Sequence, residues 1–227
     1  MPRTLNAAEH AVKREAFVEA GMRLMQARGY EQMSIQDVLD DIGASRGAFY
    51  HYFDSKQELL SAMVDRIADQ ALATLEPVVD DPGLAAIPKF ELFFGGIARY
   101  KTDRKALMLE LIKVWRSDDM AVVRDRLRHT MVQKIAPILA RIIEQGVTEE
   151  VFGVESPAET ATVLMMLMTG FQDFATDLFV ARQAKTISFE ESKRTFVSFA
   201  RAFERILGAA PGSVPIVDEA TLREWFG

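Results

Sequence analysis

Apolar residues recur at three- and four-residue steps along most of the chain, as in Val12, Ala16, Ala20 and Leu24 and again in Leu107, Leu111 and Trp115. No run alternates with a period of two. Such spacing puts the apolar side chains on one face of a helix, so the fold class expected is all-α. Helices are expected over about residues 7–28, 35–42, 46–52, 56–76, 86–100, 103–116, 119–146, 157–183 and 189–207, with a short one after Asp218.

Helix starts carry their own mark, a small polar residue followed three positions later by an acid, because that pair satisfies two amide protons with no partner inside the helix. The pairs are Asn6 with Glu9, Ser34 with Asp37, Ser55 with Glu58, Ser156 with Glu159 and Ser188 with Glu191. Pro137 falls inside a helical pattern and predicts a kink. The stretch from Pro77 to Gly83 holds two prolines, a glycine and paired acids, which is turn chemistry. It predicts a boundary between an N-terminal domain, residues 1–76, and a helical domain, residues 77–208. Residues 209–227 read as a linker and a short C-terminal helix that folds back on the body.

Within the first domain, residues 34–53 form two short helical patterns joined by a three-residue turn. Gly43 suits the left-handed conformation that ends the first helix, and Ser45 suits the cap of the second. In the second helix Phe49 and Phe53 share an inward face, while Arg46, Gly47, Tyr50 and His51 occupy the other side. Apolar anchors behind an outward row of donors are what a DNA recognition helix requires. The next helix starts at Lys56, where free amides and a cation suit a phosphate. Arg3, Lys13 and Arg14 offer further cations on the other flank.

Composition tempers this reading. The 227 residues are 49% hydrophobic and 26% charged, which is ordinary globular composition. The net charge is −6, and residues 1–60 alone carry seven Lys and Arg against nine Asp and Glu. The chain is therefore no general polyanion binder, and DNA contact rests on a few placed cations. With no cysteine, disulfides and thiolate chemistry are excluded. Neither a leader pattern nor an apolar run long enough to span a bilayer is found, so no membrane partner is expected and the cytoplasm is the expected compartment. His10 and His129 have no carboxylate or histidine at ligand spacing, and no catalytic motif stands out. No metal, cofactor or catalytic residue is expected.

Residues 17–60 resemble the DNA-binding domain of TetR-family repressors. The resemblance lies in Ala20-Gly21 and Leu24-Met25, Gly29-Tyr30, Ser34-Ile35, the turn from Gly43 through Ala44, Ser45 and Arg46 to Gly47, the run from Tyr50 to Phe53, and Lys56 with Leu59. The family pattern is broken at Leu39, where alanine is usual, at Ala44, where valine is usual, and at Ala48, where a hydroxyl is frequent. The resemblance implies a sequence-specific repressor that binds double-stranded operator DNA as a homodimer and is released by a small-molecule effector. On that reading the DNA-binding residues are Ser34, Ser45, Arg46, Gly47, Tyr50, His51 and Lys56. The alternative is an all-helical small-molecule-binding protein or enzyme that keeps the helix-turn-helix only as scaffold.

In the second domain, methionines and aromatics that adapt to apolar ligands supply the candidate cavity wall. These are Phe90, Phe94, Leu111, Trp115, Met131, Met165 and Met168, with Thr169, Gln172 and Asp173 as polar handles. Phe189, Phe196 and Phe203 repeat every seven residues with Phe199 offset, a seam suited to helix pairing and hence to the dimer interface.

Overall fold

The computed structural model describes residues 2–117, 120–216 and 218–227, with all side chains in these ranges except those at 2–7 and 122. Among the described residues there are eleven helices and no strand. They are α1 (Pro2–Arg28), α2 (Ile35–Ile42), α3 (Arg46–Tyr52), α4 (Lys56–Ala73), α5 (Glu76–Asp80), α6 (Ala86–Asp103), α7 (Lys105–Trp115), α8 (Ala121–Thr148), α9 (Pro157–Gln183), α10 (Phe189–Leu207) and α11 (Glu219–Phe226). The all-α expectation holds.

Three local expectations change. Helix α1 begins at Pro2, so Asn6 lies inside it and does not cap it; proline suits a first helical position because its missing N–H is not needed there. Ser156 makes no side-chain cap, and its carbonyl takes the Thr160 amide instead. The stretch expected to be a turn holds α5, with Pro77 in its first turn; turn geometry starts only at Asp81, whose carboxylate accepts from the Gly83 amide at 2.8 Å. Helix α8 continues through Pro137. The caps at Ser34, Ser188 and Asp218 form, and Gly43 takes the left-handed φ of 64° that ends α2.

By internal contacts the chain makes two compact units, residues 1–69 with 104–127 and residues 70–103 with 128–227. Helix α7 thus groups with the first unit, where it packs on α1, although the turn at 77–83 had placed it in the second.

The first unit closes around Phe17, Met25, Phe49, Phe53, Leu59 and Met63, all buried. The Phe17 ring lies edge-on to Phe49 and Phe53 at 5.6 and 6.1 Å between centroids, and each such burial is worth roughly 1.5–3 kcal/mol. Helices α1 and α4 approach closely at Gly21, where a Cβ would come within 2.9 Å of the Met63 sulfur. Arg66 on α4 ties back to Glu15 and Glu19 of α1.

The second unit is built on Phe90, Phe93, Phe94, Leu139, Ile142 and Phe203, which are fully or almost fully buried. Helix α11 folds back on it as the sequence suggests. Phe226 packs 5.1 Å from Phe196, the Trp225 indole donates to Thr102 Oγ1 at 3.0 Å, and Arg182 Nε donates to the Phe226 carbonyl at 2.7 Å. Helix α9 is long and apolar enough, by length and composition, to cross a membrane, although no uninterrupted apolar run in it has that length. In the fold it packs along α10 and α11.

Candidate nucleic-acid interface

Helix α3 owes its position to its two ends and its back. Ser45 Oγ accepts from the Ala48 amide at 3.2 Å at the N-terminus, and Phe49 and Phe53 are buried against α1. With that face closed, Arg46, Gly47, Tyr50 and His51 are left exposed. Tyr50 is 46% exposed, and the Arg46 guanidinium sits 6.0 Å from the centre of its ring. The geometry therefore offers a continuous outward row of donors and one bare glycine on a helix narrow enough for a major groove.

Of the other residues expected at the DNA surface, Ser34 is held in the cap its spacing predicts, and Lys56 is engaged in a way the sequence did not indicate. Ser34 Oγ accepts from the Asp37 amide and donates to the Asp37 carboxylate at 2.6 Å. These Ser34 contacts, followed by Arg28, hold the Asp37 carboxyl below its usual value. Lys56 lies 4.1 Å from the Tyr30 ring centre and donates to the Glu31 carbonyl at 3.5 Å. Burial there lowers its pKa from the ordinary lysine value, and the Glu31 and Asp37 charges partly oppose the shift. Lys56 is thus a cation laid along the protein surface rather than one extended into solvent. Arg14 stacks over Phe53 at 5.1 Å. The Arg3 side chain lies outside the described residues.

Sequence reasoning missed one neighbour of α3 altogether. His10, on α1, meets Tyr52 at 4.5 Å and His51 at 5.4 Å between ring centres. Forty-one positions separate His10 from His51, and no short-range pattern links them.

In the second unit the expected cavity wall is divided. Phe90, Phe94 and Met165 are buried core residues, and Met131 and Met168 pack partly buried against the same core. Leu111 and Trp115, on α7, belong to the first unit. Gln172 is exposed and accepts from Lys101 Nζ at 3.1 Å, while Asp173 pairs with Arg128 at 2.9 Å. Lys101 and Arg128 were both overlooked. Lys101 continues the apolar series Phe90, Phe94 and Ile97 on α6, which places an ammonium on a face otherwise meant for the core. Its pKa is lowered by burial.

The phenylalanine seam on α10 is divided in the same way. Phe203 is fully buried beside Phe94, 6.0 Å between centres, and has no surface left for a second copy. Phe199 stacks on Phe171 of α9 at 3.8 Å, Phe196 meets Phe171 and Phe226, and Phe189 lies under Arg223. Seven-residue spacing marks a packed face: α9 and α11 of the same chain pack on part of it, and Phe189, Phe196 and Phe199 keep part of their surface. Exposed apolar side chains lie on α9, at Val163, Met166 and Phe174, which are 50%, 62% and 50% exposed, and also on α10 at Val197.

Comparison with known proteins matches residues 17–63 to the family described as bacterial regulatory proteins, tetR family, and residues 108–192 to the tetracyclin repressor-like C-terminal domain. A Bacillus subtilis (strain 168) protein described as an uncharacterized HTH-type transcriptional regulator, YfiR, is 25% identical over 142 residues, covering 61% of this chain and 69% of that protein. The HTH-type transcriptional repressor DhaR of Mycobacterium sp. (strain GP1) is 24% identical over 131 residues, covering 58% of this chain and 66% of DhaR. Among solved structures, RolR in complex with resorcinol superposes with a TM-score of 0.59 at 16% identity, covering 96% of this chain and 95% of that one, a likeness of fold.

Proposed function

Since the chain belongs to the TetR family of bacterial regulatory proteins, which are DNA-binding transcriptional regulators, we propose that it is a cytoplasmic repressor that reads a palindromic operator as a homodimer and is released by a small, mainly apolar ligand. The observation that carries this is the outward row on α3. Arg46, Gly47, Tyr50 and His51 stand in solvent while Phe49 and Phe53 lock the helix from behind. A scaffold helix has no need of an arginine, a bare glycine and a half-exposed tyrosine together.

Support for the homodimer comes from α9. Val163, Met166, Gly170 and Phe174 follow one another at three- and four-residue steps, all exposed, and Gly170 allows a second helix close approach. A second copy laid along this stripe covers it. The effector reading draws on the second unit, where Lys101, Gln172, Arg128 and Asp173 bring polar groups beside a core rich in phenylalanine and methionine. The resorcinol of RolR concerns RolR; for this chain it suggests small phenols as the first compounds to try. A ligand favouring a DNA-incompetent conformation would release the operator by shifting populations.

Selection of DNA fragments from a random duplex pool by the purified protein tests the reading. Enrichment of two related, inverted half-sites is the expected result. A pool that stays random after repeated rounds overturns it.

A further inference from the structure

Between α1 and α3 lies an open groove of about 560 Å³. Its floor is made of small or apolar side chains, among them Ala16, Ile42, Ala44 and Ala48. Its rim carries Glu9, His10 and Lys13 from α1 and His51 and Tyr52 from α3. His51 and Tyr52 meet edge-on at 5.0 Å, and Tyr52 is wedged between His10 at 4.5 Å and Phe17 at 5.6 Å. The rings therefore form one packed cluster along one side of the groove. Lys13, by contrast, has no hydrogen bond or ion pair among the described residues.

We infer that this groove is a seat for a phosphodiester of the DNA backbone, gripped by His10, Lys13 and His51, and that operator binding is consequently coupled to proton uptake. The inference rests on the reading that α3 enters a major groove. A helix lying there has a phosphate strand along each flank, and contacts to those strands set its register. His51 ends the exposed row of α3 and starts the rim of the groove, so the site continues the DNA-facing surface across to α1. Lys56 lies against Tyr30, which follows the opposite end of α1 and is seventeen residues beyond Lys13.

The chemistry of the site fits an anion with little bulk at its approach. Alanines at 44 and 48 keep the floor low, so a phosphate oxygen can come down beside the rings. The titratable and charged groups facing the site are Glu9, His10 and Lys13 on α1 and His51 and Tyr52 on α3; the end of α2 contributes only Ile42 and, beyond it, Ala44. Glu9 is the one carboxylate, set against a lysine and two imidazoles. Imidazole is the side chain whose charge changes near neutral pH, and a phosphate beside it favours the protonated ring. Two such rings under one phosphate strand make DNA affinity rise as the solution is acidified, by up to about tenfold per pH unit for each proton taken up.

The test is duplex affinity against pH, over about pH 8 to pH 5.5, which spans the histidine range, using the full chain and the operator recovered by selection. Three single variants are compared with wild type: His10→Gln, His10→Lys and Lys13→Ala. His10 is exposed, so neither replacement threatens the fold. His10→Gln is expected to lose its share of the gain in affinity at low pH, His51 keeping the rest, and His10→Lys to bind more tightly at high pH already, so both flatten the profile, from opposite ends. Lys13→Ala is expected to leave the pH profile and lower the log–log salt slope by about one. Operator binding with the same pH profile in wild type and both His10 variants overturns the inference while leaving the proposed function standing. Wild-type protein that binds no duplex overturns both.

Discussion

In the first unit Arg46, Tyr50 and His51 stand in solvent on a helix whose back is closed by Phe49 and Phe53, whereas in the second the residues of similar promise, Phe90, Phe94, Met165 and Phe203, are themselves the closed core. The same kind of sequence signal, a conspicuous side chain at helical spacing, thus means opposite things in the two places. A donor on the face opposite an apolar anchor is free to act. An aromatic on the apolar face is already in use, and function in such a unit falls to the polar groups intruding on it and the apolar groups left outside it.

The largest expected effect tests that distinction within the second unit. Phe203→Ala is expected to destabilise the subunit by about 3–5 kcal/mol, since a fully buried ring leaves a cavity. Met166→Glu, on the exposed stripe of α9, is expected to leave far-UV circular dichroism intact and to yield monomers in sedimentation at micromolar concentration, because it sets a charge where two copies would meet. A Phe203→Ala protein that melts like wild type but no longer dimerises would reverse the assignment and restore the α10 seam.

A smaller effect separates two cations of the first unit. Arg46 is exposed at the start of α3, its guanidinium 6.0 Å from the Tyr50 ring on the outward row, so Arg46→Ala is expected to cost ~1–3 kcal/mol on the selected operator and much less on scrambled DNA. Lys56 is already laid on Tyr30, and Lys56→Ala is expected to weaken both duplexes alike and to lower the salt slope by about one. Equal losses for Arg46→Ala on both duplexes would make it a phosphate contact and remove base reading from the exposed row.

What was legible in the sequence was local. The caps at Ser34, Ser188 and Asp218 and the turn at Gly43 depend on neighbours within a few residues, and each forms as expected. The same motif fails at Asn6 because the chain is already helical from Pro2, a fact the four-residue pattern does not contain. Proline concealed α5, since Pro77 opens a helix as readily as it makes a turn. Periodicity showed that Phe196 and Phe199 face something, but not that Phe171 and Phe226 would reach them first. The outward row on α3 was readable for the same reason the caps were, its anchors being three and four residues away. The His10 cluster, joining α1 to α3, was not.

The smallest effect concerns the ammonium placed on the core side of α6. Among the described residues Lys101 has Gln172 as its hydrogen-bond partner and no ion pair with a carboxylate, and burial lowers its pKa from the ordinary lysine value of 10.5. A folded-state pKa below the unfolded one means that between the two values the unfolded chain holds more protons, so wild-type stability rises with pH across that window. Below the window both states carry the charge and the burial penalty is felt in full. Lys101→Met removes the charge and keeps the apolar stem, and is therefore expected to raise the melting temperature slightly at neutral pH, with the advantage shrinking as pH climbs toward 10.5. Melting curves of both proteins at several pH values measure this. A variant that melts lower than wild type at neutral pH would show that the ammonium is held by an attraction stronger than the Gln172 amide supplies, and would make Lys101 the first place to look for the charged group of an effector.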